Sequence, residues 1–208
     1  MTTHMTRPTQ ATHSGETAGP TDRTVPAVRQ RTPRRDGGGG FATALSCTAI
    51  VFTGAIFGFF YAWVCSTMWG LDAADPRVAI EAMQEMNASV RNPVFFPAFF
   101  LTPLVLGLAA AAHRRAGNDR AWPWFATAAV VYLLGGLVLT MAVNVPMNED
   151  LAEIAIPSDA NAASRIWDDY SGRWQLWNAA RTVASGASLA LAAVGLTRSS
   201  VQADRSIS

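Results

Sequence analysis

The chain has 208 residues, half of them hydrophobic, with 16 basic residues, all arginine, against 15 acids for a formal net charge of +1. So balanced a charge offers no basic surface for nucleic acid, and two cysteines and three histidines scattered along the chain form no zinc or disulfide framework. The mean hydropathy of +0.17 averages a polar start with long apolar blocks, so the chain has to be read block by block.

Residues 1–40 hold almost no large apolar side chain and are rich in Thr, Pro, Gly and Arg. Such a segment cannot bury enough apolar area to offset the entropy of ordering it, so a disordered, basic cytoplasmic tail is expected. Its length ahead of the first apolar run argues against a cleaved secretory signal. Asp36 and four glycines follow Arg34-Arg35 where a twin-arginine signal would continue with apolar residues. The basic run from Arg29 to Arg35 suits a topology signal, with anionic head groups as a second partner.

Four apolar blocks follow, at about 41–65, 94–112, 122–145 and 177–196, and apart from Arg181 none contains a charged residue. About 20 apolar residues suffice to cross a ~30 Å hydrocarbon core as a helix, so each block can span a bilayer. The expected fold is therefore all-α: an integral membrane four-helix up-down bundle over 41–197, with helical outer loops and a short cytoplasmic tail at 198–208. Cys47 and Cys65 fall in one predicted helix without metal-ligand spacing and read as free thiols. The absence of lysine reads as the codon bias of a GC-rich bacterial genome.

The segments between the blocks alternate in charge. Residues 1–40 carry six arginines against three acids, 66–93 two against four, 113–121 three against one, 146–176 two against six, and 197–208 two against one. Basic residues stay on the cytoplasmic side. Both termini and the Arg114-Arg115 loop are therefore expected in the cytoplasm, in a plasma-membrane protein whose two longer loops face outward.

The first of those loops opens a helix at Asp75-Pro76, an N-cap followed by a residue suited to the first turn. Ile80, Met83, Gln84 and Asn87 share one face of it, which is expected to pack on the bundle. The second span begins after Asn92-Pro93 and contains Pro97 and Pro103, each of which removes an intrahelical hydrogen bond and favours a kink. Gly54, Gly58, Gly135 and Gly136 allow close helix approach. The third span ends in NVPMNEDL, where Pro146 is expected to stop the helix between Asn144 and Asn148. In the last outer loop Trp167, Tyr170, Trp174, Trp177 and Arg181 recur at helical steps, with Asn178 beside Trp177. An aromatic belt at the membrane interface accounts for most of that stripe.

It does not account for Arg181, which lies about one turn inside the fourth span. A cation there costs about 1–3 kcal/mol unless it finds partners or snorkels outward. The polar groups at its depth are Asn144, Asn148, Asn178, Gln84 and Asn87. The expected site therefore has Arg181, Asn144, Asn148 and Asn178 at the reacting oxygen, with Gln84, Asn87, Trp174, Trp177 and Tyr170 around the ligand. His4 and His13 lie in the tail and His113 at the opposite end, so haem, copper and two-His iron are unsupported, and no phosphate loop or dinucleotide fingerprint appears. A cation, amides, aromatic walls and nearby acids (Glu149, Asp150, Asp168, Asp169) suit a flat apolar molecule whose oxygen becomes negative. A carboxylate at the rim is a candidate proton acceptor.

The segment Asn144-x-Pro146-x-Asn148-x-x-Leu151, the pattern Trp174-x-x-x-Asn178-x-x-Arg181 and the Gln84–Asn87 helix resemble hallmarks of the anthrone oxygenase-like family of small four-span membrane proteins. The likeness covers about residues 41–197. It implies oxidation of a polyketide anthrone to an anthraquinone by molecular oxygen, with no metal or flavin, as in the best-known fungal members. It carries over no catalytic set. Three functions follow as expectations: a cofactor-independent oxygenase of flat phenolic or quinonoid substrates, a membrane module binding a quinone or lipid without turnover, and a structural bundle tied at its helix ends.

Overall fold

The protein, described by a computed structural model, is defined for the backbone of residues 37–205 and the side chains of 39–200. The disorder expected for residues 1–40 falls outside these for 1–36, while Gly37 to Gly40 form the first turn of a helix. Five helices make up the described chain, and it contains no strand. Helix α1 runs Gly37–Ala62 and continues through a π turn, Trp63–Thr67, into Met68–Asp72. Helix α2 is Pro76–Ser89 and α3 is Phe95–Arg115. Helix α4 starts as Trp122–Tyr132, passes through π segments Leu133–Val138 and Thr140–Asn144, and finishes as Val145–Ala152. Helix α5 is a single rod, Ala160–Arg205.

Helices α1, α3, α4 and α5 are each long and apolar enough to cross a membrane. They close into a ring in which α1 packs on α3 and α5, and α4 packs on α3 and α5. In their most apolar windows 33% or fewer of the positions are buried inside the protein. Large apolar side chains such as Val51, Leu101, Leu104, Leu108, Val130 and Leu134 are exposed on these helices, the arrangement of helices solvated by lipid. The chain is a multi-pass membrane protein.

The interior is assembled from Ala49, Ile56, Phe60, Phe99, Leu106, Phe125, Tyr132 and Ala192. Close approach depends on Gly135, where a Cβ would collide with that of Ala184 on α5. Pro103 leaves the Phe99 carbonyl, one turn earlier, without its helical N–H. The buried Tyr132 hydroxyl of α4 donates to that carbonyl at 3.0 Å, so the proline's missing bond is made between helices instead. At the Arg115 end, Ser46 Oγ and His113 Nε2 lie 2.9 Å apart, with the His113 ring stacked on Phe125. Cys47 and Cys65 are free and exposed on the bundle surface.

The other end is capped. Asp75 is the N-cap of α2, accepting from Arg77 N at 2.9 Å. The Arg77 guanidinium and backbone N–H, both donating to the Asp75 carboxyl, hold its pKa down at about 2. The face of α2 carrying Ala79, Ile80 and Met83 is buried against Met68, Leu151, Trp167, Tyr170 and Trp174. Asp72, the last residue of α1, accepts from Trp167 Nε1 and Gln175 Nε2, both at 2.9 Å. Most of the aromatic stripe thus forms the core of a helical cap, and Trp177 alone of it, 38% exposed, keeps an outward position.

One extent differs from the sequence reading. Helix α4 does not stop at Pro146 but continues to Ala152. The ring of Pro146 would clash with the carbonyl four residues back, and the wider π turn immediately before it relieves that crowding. Helix α5 runs unbroken through Gly172 and carries the whole Trp167–Arg181 stripe into the fourth span, as the helical spacing of that stripe predicts.

Candidate functional site

Helices α3 and α4 pack tightly at the Arg115 end and separate toward Phe95 and Asn144, and the space between them becomes a cavity of about 280 Å³. Its walls come from Phe59, Phe60 and Trp63 on α1, Phe95, Phe96, Phe99 and Phe100 on α3, Thr140, Met141 and Val145 on α4, and Trp174 on α5. Met86, Asn87 and Val90 of the cap, with Asn148, Arg91 and Glu149, lie at its upper end. The π turns of α1 and α4 contribute Trp63, Thr140 and Met141, consistent with the tendency of such turns to occur at functional positions.

Arg181 lines this cavity while only 5% exposed. Its guanidinium carbon sits 4.3 Å from the Phe60 ring centroid and 5.0 Å from that of Trp174. Nε donates to Asn178 Oδ1 at 3.0 Å and Nη1 to Thr140 Oγ1 at 3.4 Å. Thr140 in turn donates to the Gly136 carbonyl at 2.6 Å. Asn178 Nδ2 donates to the Phe60 carbonyl at 3.2 Å, so both ends of that amide are committed and Asn178 orients Arg181. A guanidinium has five N–H donors, and among the described residues Nη2 has no hydrogen-bond partner. No carboxylate lies within ion-pair distance of Arg181 among the described residues. Two aromatic faces supply about 1–2 kcal/mol each where water is excluded, but no counter-charge.

Asn148 is oriented by its neighbours. Trp174 Nε1 donates to Asn148 Oδ1 at 2.8 Å, as does the Tyr170 hydroxyl, also at 2.8 Å. An indole N–H only donates, so the oxygen of the amide must face Trp174, and Nδ2 keeps its hydrogens for other partners. Asn87 also lines the cavity, and its buried Nδ2 meets no partner at hydrogen-bond geometry among the described residues. Glu149 is the one acidic residue on the lining and pairs with Arg91 at 3.3 Å.

The remaining residues of the expected site lie elsewhere. Asn144 is fully buried and does not line the cavity, and neither atom of its amide has a partner among the described residues. Gln84 Nε2 donates to the carbonyls of Leu151 and Ile154 at 2.8 and 3.0 Å, tying the cap to the end of α4. Tyr170 acts through Asn148, and Trp177 does not reach the cavity. Asp150 and Asp169 border a separate cleft of about 170 Å³ beside Arg173. Among the described residues, no three His, Cys, Asp or Glu side chains come together as a metal site would require.

The sequence reading missed Thr140, Phe60, Arg91 and the phenylalanine walls. Two signals were present: Thr140 stands one turn before Asn144 in an otherwise apolar run, and Phe95, Phe96, Phe99 and Phe100 are spaced to form an aromatic face. No curated protein and no solved structure matches the chain. A family model described as anthrone oxygenase matches residues 86–191, from the Asn87 turn of α2 through Arg181 and half of the chain. The chain belongs to the anthrone oxygenase family.

Proposed function

We propose that the protein is a cofactor-independent oxygenase that oxidises a flat phenolic or quinonoid substrate with molecular oxygen inside this cavity. The observation that carries the proposal is Arg181, a buried cation that among the described residues has a free donor and no counter-ion, at the wall of an aromatic chamber. A charge so placed, about one turn inside the span, costs about 1–3 kcal/mol, and a bound oxyanion offsets that cost. Phenylalanine and tryptophan faces suit a planar ring system, while Asn148 and Asn87 offer amide donors to its other oxygens.

The chemistry follows from charge placement. Loss of a ring-methylene proton from an anthrone leaves an enolate, whose oxygen Arg181 stabilises. Glu149, the carboxylate on the lining, takes the proton. The electron-rich carbon reduces oxygen and keeps one oxygen atom as a new carbonyl, and the second oxygen atom leaves as water. Donors fixed in advance at a developing oxyanion contribute about 10²–10³ in rate each.

The charge alternation supports a plasma-membrane location with both termini in the cytoplasm and the cap outside. A second reading, binding of a quinone or lipid without turnover, is favoured by the Arg91–Glu149 pair, which occupies the one available carboxylate. Aerobic and anaerobic turnover of an anthrone by detergent-purified protein separates the two, after subtraction of autoxidation. Oxygen-dependent quinone formation, lowered about 10²-fold or more by Arg181→Gln, is the expected result. Saturable binding with turnover at background would replace the oxygenase by the binding module.

A further inference from the structure

We propose that the cavity loads sideways from the bilayer, through the gap between α3 and α4, and that its ligand is a flat lipophilic molecule dissolved in the hydrocarbon. The inference rests on reading the cavity as a ligand site. Helix α3 packs against Trp122–Tyr132, touches Leu133–Val138 lightly and is not packed along Thr140–Ala152, so the two helices splay where the cavity lies.

The lining residues at that gap are Phe96, Phe100 and Met141, which are 40%, 41% and 46% exposed, with Val145 beside them. All lie within helices able to span the membrane. Phe100 is five residues into α3, about 8 Å below its start at 1.5 Å per residue, so this opening faces lipid. Toward the aqueous end the same gap is crossed by the Arg91–Glu149 ion pair and roofed by α2. A charged clasp above and an apolar slot at the side favour a molecule that partitions into hydrocarbon first. Arg181, reached past the phenylalanines, then selects one that carries an acidic oxygen.

The test uses the full-length chain in lipid vesicles, with Cys47→Ala and Cys65→Ala as the background. The probe is 1,8-dihydroxyanthraquinone, followed by the induced circular-dichroism band that only site-bound dye shows. Bridging Arg91→Cys to Glu149→Cys with a bifunctional thiol reagent should leave the loading rate within about twofold. A benzyl adduct on Met141→Cys should slow it about tenfold at unchanged final amplitude, while a methyl adduct should have little effect. Met141 is on the bundle surface, so the substitution leaves packing intact. Slowing by the bridge alone, equal slowing by both, or no induced band overturns the proposal. Dye that loads through the slot, with no anthrone turnover by the background chain that keeps Arg91 and Glu149, leaves the portal standing and removes only the oxygenase.

Discussion

Arg181 places a full charge where the described residues around it supply two rings, one amide oxygen and one hydroxyl but no anion. A residue kept for a ligand and not for the fold has a characteristic signature, in which its removal impairs function while sparing stability. Arg181→Met fills similar volume and relieves the buried charge, at the expense of leaving Asn178 Oδ1 without its donor. The expected outcome is stability unchanged or raised by up to about 2 kcal/mol, with anthrone oxidation and dye binding lost. Chemical denaturation in detergent measures it. A loss of more than about 2 kcal/mol would make Arg181 a structural tie between α4 and α5. At this scale the sequence made Arg181 conspicuous because a lone charge in an apolar block has few explanations. It did not separate Asn148, which faces the cavity, from Asn178 and Asn144, which do not, because all three amides fall at similar depth and only packing decides which way each turns.

Helix irregularity connects the elements to the site. Each of α1 and α4 widens into π turns at the level of the cavity, and α3 carries Pro103. The carbonyl that Pro103 orphans is recovered by Tyr132, a bond between α3 and α4 just below the point where they part. Tyr132→Phe leaves that carbonyl unpaired in the interior, for an expected loss of about 1–2 kcal/mol. Pro103→Ala restores a backbone donor to the same carbonyl, so Tyr132→Phe should cost much less in that background. A double-mutant cycle by reversible unfolding measures the difference, and equal losses in both backgrounds would show that the hydroxyl has another role. Prolines and glycines in the sequence announced irregular helices. Their outcome was illegible, because Pro146 is accommodated by a π turn whose geometry depends on what α4 packs against, and the same residue elsewhere ends a helix.

The whole molecule combines a lipid-facing bundle with a water-facing cap of α2 and the first turns of α5, joined through Asp72, Gln84 and the Trp167–Trp174 core. With four spans, both termini lie on one side, and the orientation we propose from the arginine balance puts that side in the cytoplasm. In a background of Cys47→Ala and Cys65→Ala, an impermeant maleimide applied to intact cells should label Ala155→Cys in the cap loop and leave Ala116→Cys unlabelled until the membrane is opened. The reverse pattern would invert the topology. The all-helical class with four helices able to span a membrane, the α2 start at Asp75 and the family were all determined by the sequence itself, because helix length, hydropathy and N-cap chemistry are local properties of the chain. The cavity, the commitment of Asn178 to Arg181 and the burial of Trp167, Tyr170 and Trp174 were decided only by tertiary structure. They depend on which faces of distant helices meet and where α3 and α4 part, and a single strand of sequence does not record the separation between two helices.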